Sequence, residues 1–257
     1  MQKLIGGRDG ITRIGRLVYR PAGLWSEQIQ RLLHYVRNQS FVNLPEPFGF
    51  DEQGREVVSF LPGEVSNYPL SANAASLEAL TSAAKLLRGY HDASLGFLAT
   101  PHKPMNWQFP PRSPNEVICH GDFAPYNVVL NGRKAVGIID FDTAHPGPRV
   151  WDIAYALYRW SPFTNPKNPD GFGNIKAQIK RAGKFCEAYG LSSAQKEGLG
   201  DLIIERLKEL VKFMEKEAGS CGAIVDSVAA GHHSLYLADI EYITAHRMKI
   251  NIYLCRD

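Results

Sequence analysis

The 257-residue chain carries 29 Lys and Arg against 26 Asp and Glu, a net charge of +3, with 44% hydrophobic and 21% charged residues. That is the balance of an ordinary globular protein, long enough for one large domain or two lobes around a cleft. With no basic run to neutralise many phosphates it argues against a dedicated nucleic-acid binder, and no apolar run approaches the roughly 18 residues of a membrane span.

The opening residues, Met1 to Gly7, lack the apolar core and cleavage site of a signal peptide, so a cytoplasmic location is expected. Cys119, Cys186, Cys221 and Cys255 lie far apart, and neither a zinc site nor a disulfide framework is expected. Cys119, beside His120 but preceded by strand-like Val117 and Ile118, reads as a small buried thiol.

Taken in order, Leu4-Ile5-Gly6-Gly7-Arg8-Asp9-Gly10, Ile11 to Ile14, Gly15-Arg16 and Leu17 to Arg20 predict strand, glycine loop, strand, turn and strand. Gly6 and Gly7 let the backbone approach a phosphate closely; a plain hairpin turn is the other reading of the same residues. A helix is predicted from Ser26, its N-cap, to Gln39, with Ile29, Leu32, Leu33 and Val36 as the apolar stripe. Glu56 to Leu61 reads as the last strand of this region, ended by Pro62-Gly63. Ala72 to Ser94 predicts a buried helix, closing on His91-Asp92.

The stretch from Val117 to Asp152 carries the chemistry. Val128 to Leu130 and Val136 to Ile139 flank an Asn-Gly-Arg-Lys turn and predict a β-hairpin, with a polar loop before it and carboxylates after it. Asp122 can accept a proton from a hydroxyl, Asn127 offers a neutral oxygen where the first strand begins, and Asp140 leaves the second. Because a hairpin returns to its own starting edge, Asp140 lies close to Asn127. A carboxylate and an amide oxygen suit Mg²⁺, which takes few protein oxygens and completes its shell with water and phosphate.

The segment Thr143 to Pro148 reads as a turn, and Val150 to Trp160 as the start of a helix. Beyond a Pro-, Asn- and Gly-rich break at Ser161 to Asn174, helices are predicted over Ile175 to Tyr189, Ser192 to Ala218 and Ile224 to Tyr253. The adjacent His232 and His233 point to different helix faces, which rules out a shared metal.

His120-Gly121-Asp122 with Asn127 five residues on, followed by Asp140-Phe141-Asp142 and Trp151-Asp152, resembles the aminoglycoside phosphotransferase family of small-molecule kinases. The resemblance is tight over Val117 to Asp152 and looser over Gly6 to Gly63. It implies an α+β, protein-kinase-like fold of two lobes: a small β-rich nucleotide-binding lobe over residues 1–63 and a larger, mostly helical catalytic and acceptor-binding lobe over 64–257. It implies ATP or GTP as the nucleoside triphosphate, Mg²⁺ on Asn127 and Asp140, and a small-molecule hydroxyl acceptor deprotonated by Asp122.

By the same resemblance His120 supports the loop and Asp152 braces it from behind, a first-turn dipole carboxylate being the alternative for Asp152. Ser59, Phe60 and Leu61 line the base pocket, and Arg20 stands where the kinase pattern wants its phosphate-binding lysine, with Glu27 as its candidate partner. Asp142 touches the metal or the acceptor. Asp201, Glu205, Asp226, Asp239 and Glu241 are the acidic side chains available to a polycationic aminoglycoside, whose phosphorylation would confer antibiotic resistance. The departure at Arg20 leaves a catalytically inert, nucleotide-binding or regulatory chain as the alternative.

Overall fold

The computed structural model describes residues 2–3, 10–100, 106–168, 171–220 and 227–255, with 217–220 and 227–232 as backbone alone. The chain begins in a five-stranded antiparallel sheet. Its strands are β1 (Gln2–Lys3), β2 (Thr12–Ile14), β3 (Leu17–Arg20), β4 (Pro47–Phe50) and β5 (Glu56–Ser59), in the spatial order β1-β2-β3-β5-β4. Between β3 and β4 runs helix α1 (Ser26–Asn38). The predicted stripe of Ile29, Leu32, Leu33 and Val36 is buried. Ser26 is the first helical residue rather than the cap; Trp25 holds that place, and Ser26 Oγ accepts from the Gly23 N–H at 2.9 Å.

The helix expected over Ala72 to Ser94 is two: α2 (Ala72–Ala75) and α3 (Leu77–Ala93). Ser71 and Ser76 cap them, accepting from the N–H groups of Ala74 and Ala79 at 3.3 and 3.1 Å. Ser76 therefore restarts the helix rather than continuing it.

There follow β6 (Val117–Cys119), β7 (Val128–Asn131), β8 (Lys134–Ile138), β9 (His145–Gly147), α4 (Arg149–Trp160), α5 (Ile175–Tyr189), α6 (Ser193–Lys196), α7 (Leu199–Ser220) and α8 (Ser227–Cys255). Two expectations are corrected here. The supposed turn after Asp142 contains β9, which pairs antiparallel with β6, Ile118 opposite Pro146. A proline in a strand removes a ladder donor, which is why the sequence pattern hid it. The helix expected over Ser192 to Ala218 breaks after Lys196, where Gly198 takes φ +70°.

One continuous core joins α1, α3, α4, α5, α7 and the β7–β8 hairpin, with Leu32, Leu87, Leu157, Phe185 and Leu207 each fully buried. At roughly 1.5–3 kcal/mol per buried large apolar side chain, this contact holds the hairpin rigidly against the helices. The segment after β5 is tied to the hairpin by a reciprocal bridge: Glu64 N–H to Leu130 O at 2.9 Å and Leu130 N–H to Glu64 O at 2.7 Å. Among the described residues no helix is long and apolar enough to cross a membrane.

Candidate active site

The hairpin pairs Val128 with Ile138, and the Ile139 N–H continues the ladder onto Asn127 O at 2.9 Å. That bond sets Asn127 and Asp140 at one edge of a single cavity of about 760 Å³, which Asp122 also lines. The Asn127 amide nitrogen donates to Asp122 twice, to its backbone oxygen at 3.0 Å and its Oδ2 at 2.9 Å. The donations leave the amide's carbonyl oxygen for a ligand. Tyr126 donates its hydroxyl to Asp122 Oδ1 at 2.7 Å, and burial together with the facing Asp122 charge pushes that phenol well above its ordinary value, so it remains a donor.

Asp140 adopts φ +61°, a left-handed conformation that aspartate tolerates better than most residues, and its side chain is 50% exposed in the cavity. Asn127 and Asp140 thus offer two oxygens, one neutral and one anionic. No group of three His, Cys, Asp or Glu among the described residues could cage a metal. The donor set fits a hard divalent cation such as Mg²⁺ that completes its shell with water and phosphate.

Asp152, fully buried at the start of α4, accepts from the His120 N–H at 2.7 Å and the Gly121 N–H at 2.9 Å, and from His91 Nε2 at 2.9 Å. Burial pushes its carboxyl up, but the bonds from His91 and the His120 N–H more than offset this and hold it at about 2. His91 accepts on Nδ1 from the Tyr189 hydroxyl at 2.7 Å, and burial lowers its ring below the ordinary histidine value.

His120 uses Nδ1 to accept the Asp122 N–H at 3.2 Å and donates from Nε2 to Ile139 O at 2.9 Å, so it joins the loop to the hairpin. Gly121 adopts φ +84°, and a Cβ there would sit 2.3 Å from Thr143 O. That close approach explains a glycine between His120 and Asp122. From the other side Arg206, buried on α7, donates to Gly121 O at 2.6 Å.

Arg20 does not pair with Glu27, which is exposed on α1. The register of β3 on β5 sets Arg20 opposite Glu56, and its Nε donates to Glu56 at 2.8 Å. Its two terminal nitrogens reach Asp140 at 3.1 Å and Asp142 at 3.0 Å. Burial opposes the charge, but Asp142, Glu56 and Asp140 together raise the guanidinium above its ordinary value. From α1 the side chain that arrives is Gln30, one helical turn past Glu27, donating to Glu56 at 2.8 Å. Glu56 is fully buried. Arg20→Met is therefore expected to destabilise the protein by about 3–5 kcal/mol by stranding that carboxylate. Chemical denaturation checks this, and an unchanged midpoint contradicts the account.

Of the other predicted residues, Gly6 and Gly7 lie outside the described residues, as do Asp226 and Cys221. Ser59, Phe60 and Leu61 line the cavity, Phe60 beneath the Arg13 guanidinium at 3.6 Å. Among the acidic residues of the last helices, Asp201 pairs with Arg247 at 3.4 Å, Glu205 pairs with Arg112, and Glu241 is exposed. Asp239 lines the cavity. Sequence reasoning missed Glu56, Gln30, Tyr126, Arg159 and Arg206. Tyr126 alone lies within the motif, four residues past Asp122, and could have been found there.

A small antiparallel sheet, a helical body and a polar loop with its hairpin facing a shared cleft define the protein-kinase-like fold. A choline/ethanolamine kinase family protein from Mesorhizobium loti superimposes with a TM-score of 0.62 over 96% of this chain and 92% of that one, at 15% identity. An amicoumacin kinase in complex with AMP-PNP and Ca²⁺ gives 0.61 over 93% and 89%, at 10% identity. The model of the phosphotransferase enzyme family APH matches residues 105–174. The trifolitoxin immunity protein of Rhizobium leguminosarum bv. trifolii is 32% identical over 207 residues, 77% of each chain. The chain belongs to the APH phosphotransferase enzyme family.

Proposed function

We propose that the chain is a small-molecule kinase that transfers the γ-phosphoryl group of ATP or GTP to a hydroxyl acceptor. The observation that carries this reading is the convergence of Asp122, Asn127 and Asp140 on one cavity, which Arg20, beside Asp140, and Ser59 to Leu61 also line. The acceptor oxygen bonds to the γ-phosphorus, the bond to the β–γ bridging oxygen breaks with its electron pair on the departing diphosphate, and the hydroxyl proton passes to Asp122. Asn127 and Asp140 would hold a divalent cation, which would neutralise charge on the phosphates. Tyr126 and Asn127 fix both oxygens of the base, while Asp152, His91 and Arg206 hold the loop that presents it.

Residues 1–63 form the nucleotide lobe and 64–257 the catalytic and acceptor lobe, in the cytoplasm. The complex of the amicoumacin kinase with AMP-PNP and Ca²⁺ supports a nucleotide and a divalent cation, and the name of the trifolitoxin immunity relative supports a role in resistance. One observation favours the inert, regulatory alternative: Arg20 is closed on Asp140 at 3.1 Å, occupying the carboxylate a cation would use.

Mg²⁺-dependent loss of ATP and of GTP, measured with and without hydroxyl acceptors, decides between them. Acceptor-dependent turnover is the expected result. Nucleotide binding without turnover on any acceptor establishes the inert reading, and no nucleotide binding removes both.

A further inference from the structure

We propose that the acceptor carries an anionic group, a carboxylate being the chemistry that fits, and that Arg159 binds it; the assignment rests on the phosphotransferase reading above. Arg159 lies near the end of α4 and lines the acceptor end of the cavity with Tyr68, Tyr126, Tyr158, Tyr236 and Asp239. Its guanidinium stacks over Tyr68 at 4.1 Å and stands 5.3 and 5.4 Å from the Tyr158 and Tyr126 ring centres.

Among the described residues the guanidinium makes no salt bridge and no hydrogen bond, Asp239 acting on it only through space, and its Nε is buried without a partner. Each ring contact returns about 0.5–2 kcal/mol, but a ring face offers no acceptor to an N–H in the guanidinium plane, so the stacking leaves the buried Nε unsatisfied in a half-buried side chain. An anion would supply the missing partner.

The carboxylates of the cavity are already engaged. Asp140 and Asp142 lie on Arg20, and Asp122 accepts from Tyr126 and Asn127. Asp239 accepts from Tyr158 at 2.7 Å and from Thr164, and burial pushes its carboxyl above the usual range while the Arg159 charge acts the other way; both its oxygens are already taken by hydroxyl donors. A polycationic acceptor would meet one hydrogen-bonded carboxylate and a free positive charge at this end. Repulsion there disfavours it. A planar guanidinium, in contrast, matches a carboxylate with two parallel N–H donors.

The position also suits transfer. Tyr126 touches both ends, its hydroxyl on Asp122 and its ring beside Arg159. One tyrosine therefore separates the anion-binding group from the base. A compact molecule with a carboxylate and a hydroxyl a few bonds apart spans that gap, and the flanking rings supply apolar contact for the carbon chain between them.

The test is calorimetric binding to the full chain loaded with Mg²⁺ and AMP-PNP, using matched sets of short hydroxy acids, their carboxamides, amino alcohols and an aminoglycoside. A hydroxy acid is expected to bind at least tenfold more tightly than its amide. Arg159→Met is expected to remove at least tenfold of that affinity and leave the amide unchanged, with Arg159→Lys restoring part. Thermal unfolding checks each variant, and Arg159→Lys carries the comparison if Arg159→Met does not fold. Binding confined to neutral or cationic compounds, no binding of any hydroxy acid, or hydroxy-acid affinity indifferent to Arg159 overturns the proposal. AMP-PNP titration alone reports on the kinase reading separately: if the nucleotide fails to bind while a hydroxy acid still does, the kinase reading fails and the anion site stands.

Discussion

Asp122→Asn is expected to lower acceptor phosphorylation by about a hundredfold to ten-thousandfold, the usual contribution of a positioned general base. The loss has a second source in the local hydrogen bonding. Asp122 Oδ2 accepts from the Asn127 amide nitrogen, and Oδ1 accepts from the Tyr126 hydroxyl. An asparagine at 122 brings its own NH₂ to one of those donors. Tyr126 can rotate its hydroxyl and accept instead, at little cost. If the new NH₂ faces Asn127, that amide must turn, and its carbonyl oxygen leaves the cavity. The variant should then need more Mg²⁺ for half-maximal turnover. Tyr126→Phe separates the two effects, since it removes one hydrogen bond to the base and leaves Asn127 alone; about a three- to tenfold loss is expected, with no change in Mg²⁺ dependence. Acceptor turnover by Asp122→Asn within about tenfold of the unaltered protein would remove Asp122 from the base role.

The loop and hairpin were legible because their constraints are local. Fixed spacing and a hairpin return bring Asp122, Asn127 and Asp140 together whatever the rest of the chain does. Arg20 was legible as a charge at the end of a strand, but its partner was not. The choice of Glu56 over Glu27 follows from the pairing of β3 with β5, a contact across 36 residues that no local pattern encodes. The strand β9 was hidden by Pro146, which periodicity reads as a turn. Arg159 left a faint signal: a cation on a helix whose other side chains, Trp151 to Trp160, are buried almost throughout. Such a residue needs either solvent or a partner, and only the tertiary structure shows that neither is supplied in full.

Asp152→Asn is expected to cost as much stability as Arg20→Met. The carboxylate is fully buried and accepts from two backbone N–H groups of the loop and from His91. An asparagine keeps one oxygen and turns an NH₂ toward donors that then have no acceptor. Breaking a buried charge-assisted set of this kind costs about 3–5 kcal/mol. For a chain of this size that is a fall in Tm of about 6–20 °C at pH 7.

The pH dependence makes the prediction specific. Burial holds His145 at about 4 and lowers His91, so both rings bind fewer protons folded than unfolded; the stability they contribute is present above the ordinary value of 6.5 and is lost as pH falls below it. Asp152, held at about 2 against an ordinary 3.8, contributes stability that is present above about 4 and is lost only as pH falls toward 2. The unaltered protein should lose Tm in two stages, the histidines first and the carboxylate after. The Asp152→Asn protein should start lower and show a smaller second stage, since Asp92 and Asp51 are also held below the usual carboxylate range and still titrate there. A variant melting within about 2 °C of the unaltered protein at pH 7, with the lower stage intact, would show that the loop is not held by this carboxylate. Activity falls for a related reason: once His120 and Gly121 lose their anchor, the loop no longer presents Asp122 in one geometry. The acceptor KM should change less than kcat, because Asp152 touches the loop rather than the cavity that receives the acceptor.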